Sequence, residues 1–366
     1  MQPPFRALIL AAAAAASACS SLDPAPPAEA LPGTLDGAQV ALDPATVGGP
    51  PVYLAGNLSP EEVEQYRALA PNLELLHGLD RTTALEHAPR AHGADAHLLS
   101  AEFMERAEQL AWIQSWSAGV GRLLETPGVV EREGLVVTNA KGVHGPVISE
   151  HVFALLLSLT RNLGAYAEAQ ADSRWDRNAG DPWELSGRTL LVAGLGGIGR
   201  EVAKRADAFG MRVVGTVRTE REAPPYVDQL VTGDRTDEFL PEADVLVICL
   251  PLTDETRGFF DARRLALLPP GAVVINIARG AILDTDALHA TLQSGHLAGA
   301  GLDVTDPEPL PADHPLWSTP NVRITPHVAG RADLTGERRR ALLAENIRRF
   351  AAGEPLLNVV DREAGY

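Results

Sequence analysis

Hydrophobic positions fall into short runs along most of the chain. Runs at residues 52–55, 73–76, 96–99, 112–116 and 135–138 have the length and the aromatic or β-branched content of buried strands, with helix-like spacing between them. A second series follows at residues 189–193, 212–217, 245–250, 273–277, 299–302 and 322–325. One helix start is explicit. Ser59 stands in the cap position, Pro60 in the first helical position, and Glu61 and Glu62 in the first turn. Between the two series, residues 147–163 predict a strongly apolar helix. Its centre, Ala154-Leu155-Leu156-Leu157, is apolar on all sides, so burial at a domain boundary is expected. A last helix is expected over residues 332–352. Alternating strands and helices predict an α/β chain with parallel, doubly wound sheets, in two similar units in succession.

A length of 366 residues fits two domains. The net charge of −17 excludes nucleic acid as a partner, because phosphate binding needs a basic face. The one dense basic cluster, Arg338-Arg339-Arg340, lies in a helical stretch and is expected on a solvated face. Of the two cysteines, Cys19 and Cys249, the second sits in an apolar run. A disulfide between them is not expected, and Cys249 is expected to pack rather than react. His87, His92 and His97 are spaced by five, which misses the i,i+4 spacing of a helical ligand pair, so no metal site is expected.

The N-terminus has the layout of a secretory signal. Met1–Arg6 is short and weakly positive, and residues 7–18 form a small or apolar run interrupted only by Ser17. Ala16-Ser17-Ala18-Cys19 resembles a bacterial lipobox, which would make Cys19 the site of a lipid anchor. These features predict a signal or lipoprotein peptide over residues 1–21 and a location in the cell envelope or periplasm. If the signal is not used, the location is cytoplasmic. Residues 22–50, rich in Pro, Ala and Gly, read as a linker.

The strongest motif is Gly194-Leu195-Gly196-Gly197-Ile198-Gly199, which follows a predicted strand and opens a helix expected over residues 200–209. In that context G-x-G-x-x-G predicts a dinucleotide site. Gly194 allows the tight turn, Gly196 lets backbone approach a pyrophosphate, and Gly199 allows close helix-to-strand packing. The helix start, with Gly197 and Ile198, offers N–H groups to phosphate. The next strand ends at Arg218-Thr219, where an NAD-preferring site usually has an acid. An arginine cannot accept from a ribose hydroxyl, but its planar fork suits a 2′-phosphate. NADP is therefore the expected cofactor, with NAD as the other possibility.

Three stretches at predicted strand ends carry the remaining chemistry: Asn276-Ile277-Ala278-Arg279-Gly280, a segment from Gly301 through Asp303 and Glu308 to Pro311, and Thr325-Pro326-His327-Val328-Ala329-Gly330. Arg279 can hold the carboxylate and adjacent carbonyl of a 2-oxo acid. His327 can give a proton to the carbonyl oxygen as hydride reaches the carbon. A carboxylate partner favours the charged ring and fixes its tautomer, and Glu308, between two prolines, is the candidate. Asp303 is expected on the nicotinamide amide. Pro251 and Ala278, at the ends of their strands, are expected beside the cofactor.

With G-L-G-G-I-G, N-I-A-R-G, D-P-E-P-L and T-P-H-V-A-G in order, the chain from about Pro51 to Val360 resembles the D-isomer-specific 2-hydroxyacid dehydrogenase family. The resemblance implies Arg279, Glu308 and His327 as substrate arginine, acid partner and acid/base histidine. It also implies that Ser117-Ala118-Gly119-Val120 offers the N–H groups of Ala118 and Gly119 to the substrate carboxylate. The family often has Asp where this chain has Gly121. Glu308 argues against the formate dehydrogenase branch, which has glutamine there, and the arginine-ended strand resembles the glyoxylate/hydroxypyruvate reductases. The fold implied is two Rossmann-like domains, with a coenzyme domain (144–330) inserted in a substrate domain (51–143 and 331–366). The resemblance also implies a homodimer, with residues 147–163 either at the interface or in the core. Trp116, Leu316 and Trp317 are expected to shape the substrate pocket. The activity implied is reduction of a small 2-oxo acid to the D-2-hydroxy acid. The alternative is a catalytically silent NAD(P)-binding interaction or sensing module.

Overall fold

The computed structural model of the chain describes residues 39–365. The expected signal segment, Cys19 and most of the linker lie outside the described residues. The first sheet holds β1 (Val52–Leu54), β2 (Glu74–Leu76), β3 (Gly93–Asp95), β4 (Trp112–Gln114) and β5 (Val136–Thr138), in the order β2-β1-β3-β4-β5 and parallel throughout. The second holds β6 (Thr189–Ala193), β7 (Arg212–Val217), β8 (Gln229–Thr232), β9 (Val245–Ile248), β10 (Ala272–Asn276), β11 (Leu297–Leu302) and β12 (Val322–Ile324). Its order is β12-β11-β10-β9-β6-β7-β8, again all parallel. Parallel strands need crossover connections, so both faces are covered, and the central strands of the second sheet are largely apolar runs. In the second sheet the order reverses between β6 and β9, which opens a crevice beyond their C-terminal ends.

The chain returns to its first sheet at the end. The helix Asp333–Ala352 lays Leu343, Ile347 and Phe350 against Tyr53, Tyr66 and Trp112, with the Trp112 and Phe350 rings 5.0 Å apart. Asn346, fully buried, donates to Gln114 Oε1 at 3.2 Å and accepts from the Leu357 N–H at 2.8 Å. Each large side chain buried there contributes about 1.5–3 kcal/mol, so Phe350→Ala would cost about 3–5 kcal/mol. The second α/β unit is thereby inserted in the first. The apolar helix Gly145–Thr160 packs on the second sheet and is core: Val152, Phe153, Leu155, Leu156 and Leu159 are buried by the chain itself, though Ala154 is exposed.

The helix Pro60–Leu69 starts at Ser59, whose hydroxyl accepts from the Glu62 N–H, and Glu62 accepts from the Ser59 N–H at 2.6 Å. Elsewhere the structure corrects the sequence reading. Residues 96–99 are not a strand. A 3-10 turn occupies Ala96–Leu98, and the strand is Gly93–Asp95 just before it. The buried strand consists of glycine, alanine and aspartate, so apolar content points past it. Asp95 survives burial because it accepts from Tyr53 Oη and the Gly56 N–H. Strand β8 was not anticipated, since only Leu230 and Val231 mark it and it pairs only with β7 at the sheet edge. The arginine cluster is not simply a solvated face: Arg339 reaches His144 Nε2 at 2.6 Å. Leu316 packs in the second core instead of lining a pocket, and Trp317, half exposed, donates from Nε1 to the Pro311 carbonyl.

Candidate active site

Strand β6 ends at Ala193 and the chain turns at Gly194, with φ +98°. A side chain there would meet the Cys249 backbone at 2.9 Å. The turn is tied to β7, because Thr216 Oγ1 accepts from the Gly194 N–H and the Leu195 N–H donates to the Thr216 carbonyl. The helix Gly197–Ala208 then begins at Gly196 without a side-chain cap. A Cβ on Gly196 would meet nothing within 4 Å, whereas one on Gly199 would stand 2.2 Å from the Gly194 carbonyl oxygen. The uncapped helix start therefore faces open space, backed by a turn that tolerates no side chain. That shape and charge fit a dinucleotide pyrophosphate. Gly197 lies beside Gly142, Ile198 is half-buried, and Arg218 and Thr219 are exposed just past the end of β7. Pro251 is exposed beyond β9, its carbonyl accepting from Thr256 Oγ1. Cys249 carries a free, half-buried thiol that burial pushes up to about 12, which keeps it protonated and poorly nucleophilic.

Beyond β10, buried Asn276 shapes the turn that presents Arg279. Its Oδ1 accepts from the Ala278 N–H, and its Nδ2 donates to the Arg279 carbonyl. Arg279 Nη1 donates to the Ala278 carbonyl at 2.7 Å. Its Nη2 reaches across to the first domain, so close to Gly119 that a Cβ there would stand 2.6 Å away. Among the described residues, the N–H groups of Ala118 and Gly119 find no acceptor. Their loop is anchored from behind by Asn139, whose Nδ2 donates to the Ala118 carbonyl. A guanidinium of the second domain thus lies against a loop of the first whose two amides lack acceptors among the described residues, an arrangement suited to a carboxylate.

The third loop follows β12. His327 adopts φ +54°, a left-handed conformation that costs a residue with a Cβ about 1–3 kcal/mol when the surroundings hold it there. Its Nδ1 meets Glu308 Oε1 at 2.7 Å. An ionised carboxylate only accepts, so Nδ1–H donates and Nε2 is left for substrate. Both side chains remain about half exposed, at 48% and 43%. The Glu308 loop is docked on the Arg279 turn: Gly280 lies against the Thr305 backbone, and Thr285 Oγ1 donates to the Asp306 carbonyl. The His327–Glu308 pair is thus carried by a loop that packs on the Arg279 turn. Asp303 is 2% exposed. Its Oδ1 accepts from Thr325 Oγ1 and the Val328 N–H, and its Oδ2 from the Ala329 N–H. Its visible role is to hold the histidine loop.

Asn276 and Thr325 stand inside the N-I-A-R-G and T-P-H-V-A-G stretches and Asn139 stands outside any motif, but sequence reasoning gave none of the three a role, because their short polar side chains act on backbone and a nearby carboxylate. Among the described residues no group of three His, Cys, Asp or Glu side chains is placed to hold a metal ion.

Residues 153–329 match the model of the D-isomer specific 2-hydroxyacid dehydrogenase NAD binding domain. A glyoxylate reductase of Aeropyrum pernix is 38% identical over 63% of this chain and 71% of its own. A D-isomer specific 2-hydroxyacid dehydrogenase of Xanthobacter autotrophicus, solved with NADPH and MES, superposes with a TM-score of 0.73 at 31% identity. That match covers 87% of this chain and all of the other. An NADPH-dependent glyoxylate/hydroxypyruvate reductase of Sinorhizobium meliloti, solved with NADP and sulfate, gives 0.70 at 31% identity over 86% and 99%. With its two parallel sheets, its glycine turn and these relatives, the chain belongs to the D-isomer specific 2-hydroxyacid dehydrogenase family and is an NAD(P)-dependent oxidoreductase.

Proposed function

We propose that the protein reduces a small 2-oxo acid of the glyoxylate or hydroxypyruvate type to its D-2-hydroxy acid, with NADPH as the preferred reductant. The observation that carries the reading is the His327–Glu308 pair at 2.7 Å, on a loop packed against the turn whose Arg279 reaches Gly119. Arg279 and the Ala118 and Gly119 N–H groups hold the substrate carboxylate and orient the neighbouring carbonyl. His327 Nε2 gives a proton to the carbonyl oxygen, and Glu308, bonded to Nδ1, holds the ring's tautomer and orientation. The bound dihydronicotinamide supplies the hydride. The glycine turn and the start of the Gly197–Ala208 helix hold the pyrophosphate, while Pro251 and Ala278 flank the cofactor. Asp303 Oδ2, with one protein donor, has capacity for the nicotinamide amide.

The NADPH preference rests on Arg218 and Thr219, the first two residues after β7, where an NAD-preferring site usually has the acid that accepts from the ribose hydroxyl. NADPH or NADP in two related structures supports it, and the relatives named glyoxylate reductase support the substrate class.

The test is oxidation of NADPH, followed at its absorbance, with glyoxylate, hydroxypyruvate and pyruvate in turn, and each repeated with NADH. Turnover faster with NADPH, falling by about 10²–10⁴ in His327→Ala, is expected from general acid catalysis. Tight NADPH binding without turnover on any 2-oxo acid would replace this reading with a silent nucleotide-binding module.

A further inference from the structure

The loop that carries His327 holds a left-handed histidine, and the structure shows what keeps it there. The His327 N–H donates to the Asp303 carbonyl at 2.9 Å, and the next two amides donate to the Asp303 carboxylate. That carboxylate is itself buried and takes its third bond from Thr325 Oγ1 at 2.6 Å. A threonine hydroxyl that gives its proton away can still accept one. Here the donor is His151 Nε2, 2.9 Å from Thr325 Oγ1 and 3.7 Å from Asp303 Oδ1. His151 belongs to a different element, the helix Gly145–Thr160, which packs on the second sheet and against the Gly197–Ala208 helix. With Asp303 accepting from Thr325, the order of donation runs from His151 to Thr325 to Asp303.

We propose that His151 and Thr325 are positioning residues for the reaction: through Asp303 they fix the loop that aims His327 Nε2 at the substrate. Neither touches the His327 ring. The proposal rests on His327 being the proton donor of the function proposed above. A loop held in a strained conformation by a chain of bonds relaxes when a link is removed. The histidine then loses its aim, while the carboxylate clamp formed by Arg279, Ala118 and Gly119 stays in place. The signature is therefore a fall in kcat with little change in KM for the 2-oxo acid.

Four single variants test it. Thr325→Val keeps the shape and removes the hydroxyl, and Thr325→Ser restores it. His151→Leu removes the donor, and His151→Gln keeps an N–H at similar reach. A hydrogen bond to a charged group contributes about 1.5–3 kcal/mol, so kcat should fall about 10–100-fold in Thr325→Val. A neutral bond contributes about 0.5–1.5 kcal/mol, so the fall should be roughly 3–10-fold in His151→Leu. Ser and Gln should restore most of the rate, and KM should stay within about 3-fold throughout, as for a loss confined to the transition state. Equal rates in Thr325→Val and wild type would overturn the proposal, as would a loss carried by KM or one that Ser fails to rescue. Crystal structures of wild type and Thr325→Val give a readout independent of turnover. The His327–Glu308 contact should be lost or lengthened in the variant, and an unmoved loop would sink the proposal even if the wild type proved inactive. Wild-type inactivity with a displaced loop would fault the proposed reaction and leave the bracing intact.

Discussion

The two sheets are both parallel and doubly wound, yet they treat the crevice at their strand-order reversal in opposite ways. In the second sheet the reversal lies between β6 and β9, and the chain leaves β6 through glycines into a helix start that faces open space. In the first it lies between β1 and β3, and the protein fills the place itself. The Gly56 N–H after β1 is taken by Asp95 Oδ2 at 2.9 Å, Tyr53 Oη donates to Asp95 Oδ1 at 2.7 Å, and the His97 ring lies over Gly56. A buried aspartate does for the first sheet what a bound phosphate would do for the second. Topology provides the crevice in both domains, but the residues at the strand ends decide whether a ligand or the chain occupies it.

The sharpest way to break this contrast is to close the open crevice. Gly199→Val would place a Cβ 2.2 Å from the Gly194 carbonyl oxygen and 3.0 Å from Val192. Backbone cannot yield as a flexible side chain can. The variant should lose about 1–3 kcal/mol of stability through overpacking, and NADPH affinity should fall at least about 100-fold, or roughly 2.7 kcal/mol. Calorimetric titration against wild type measures it, and unchanged affinity would remove the glycine turn from the cofactor site. Opening the filled crevice is the converse. Asp95→Ala leaves the buried Tyr53 hydroxyl and the Gly56 N–H without acceptors, a loss of about 2–5 kcal/mol. Chemical denaturation should show it, with NADPH affinity held within about twofold because Asp95 and the glycine turn belong to different sheets and share no partner. A cofactor defect as large as that of Gly199→Val would erase the distinction.

A smaller effect sharpens the cofactor side. Arg218→Ala should weaken NADPH by about 10–100-fold, the range of one charge-assisted bond, and leave NADH nearly unchanged. Equal weakening of both cofactors would mean that the arginine serves adenine or the loop and not a 2′-phosphate.

Both domains were largely legible in the sequence, and each held one strand that was not. Residues 189–193 and 212–217 stand as strands where the pattern put them, because central parallel strands are unbroken apolar runs. In the first domain β3 is Gly-Ala-Asp, and its burial rests on hydrogen bonds to Asp95 that no periodicity encodes. Strand β8 escaped because an edge strand buries one neighbour's side and has little apolar content to show. The same division runs through the site. Arg279, Glu308 and His327 carry charge or titrate, and they stand out at the ends of strands. Asn276, Asn139 and Thr325 act on backbone or on a neighbouring carboxylate, and a short polar residue in a loop looks like any other until its partner is in place.

The smallest effect lies where the two domains exchange the chain. His144 stands just before the Gly145–Thr160 helix without capping it, is 8% exposed, and lies against Gly330, where the chain leaves the second domain. Arg339, on the returning helix of the first, donates from Nη2 to His144 Nε2. Burial, reinforced by the Arg339 charge, lowers the His144 pKa from 6.5 to about 4. The folded state thus binds fewer protons than the unfolded chain between those values. The stabilising contribution is present above pH 6.5 and is lost as pH falls through 4. His144→Gln keeps an acceptor for Arg339 and cannot titrate. Carboxylates elsewhere also contribute to acid unfolding, so the informative quantity is the difference between the two melting temperatures. That difference should be flat above pH 6.5 and shift in favour of the variant toward pH 4, by about 2–4 °C for each kcal/mol. A difference independent of pH would mean that the histidine is not held neutral at the crossing, and that the Arg339 contact ties the domains without any proton dependence.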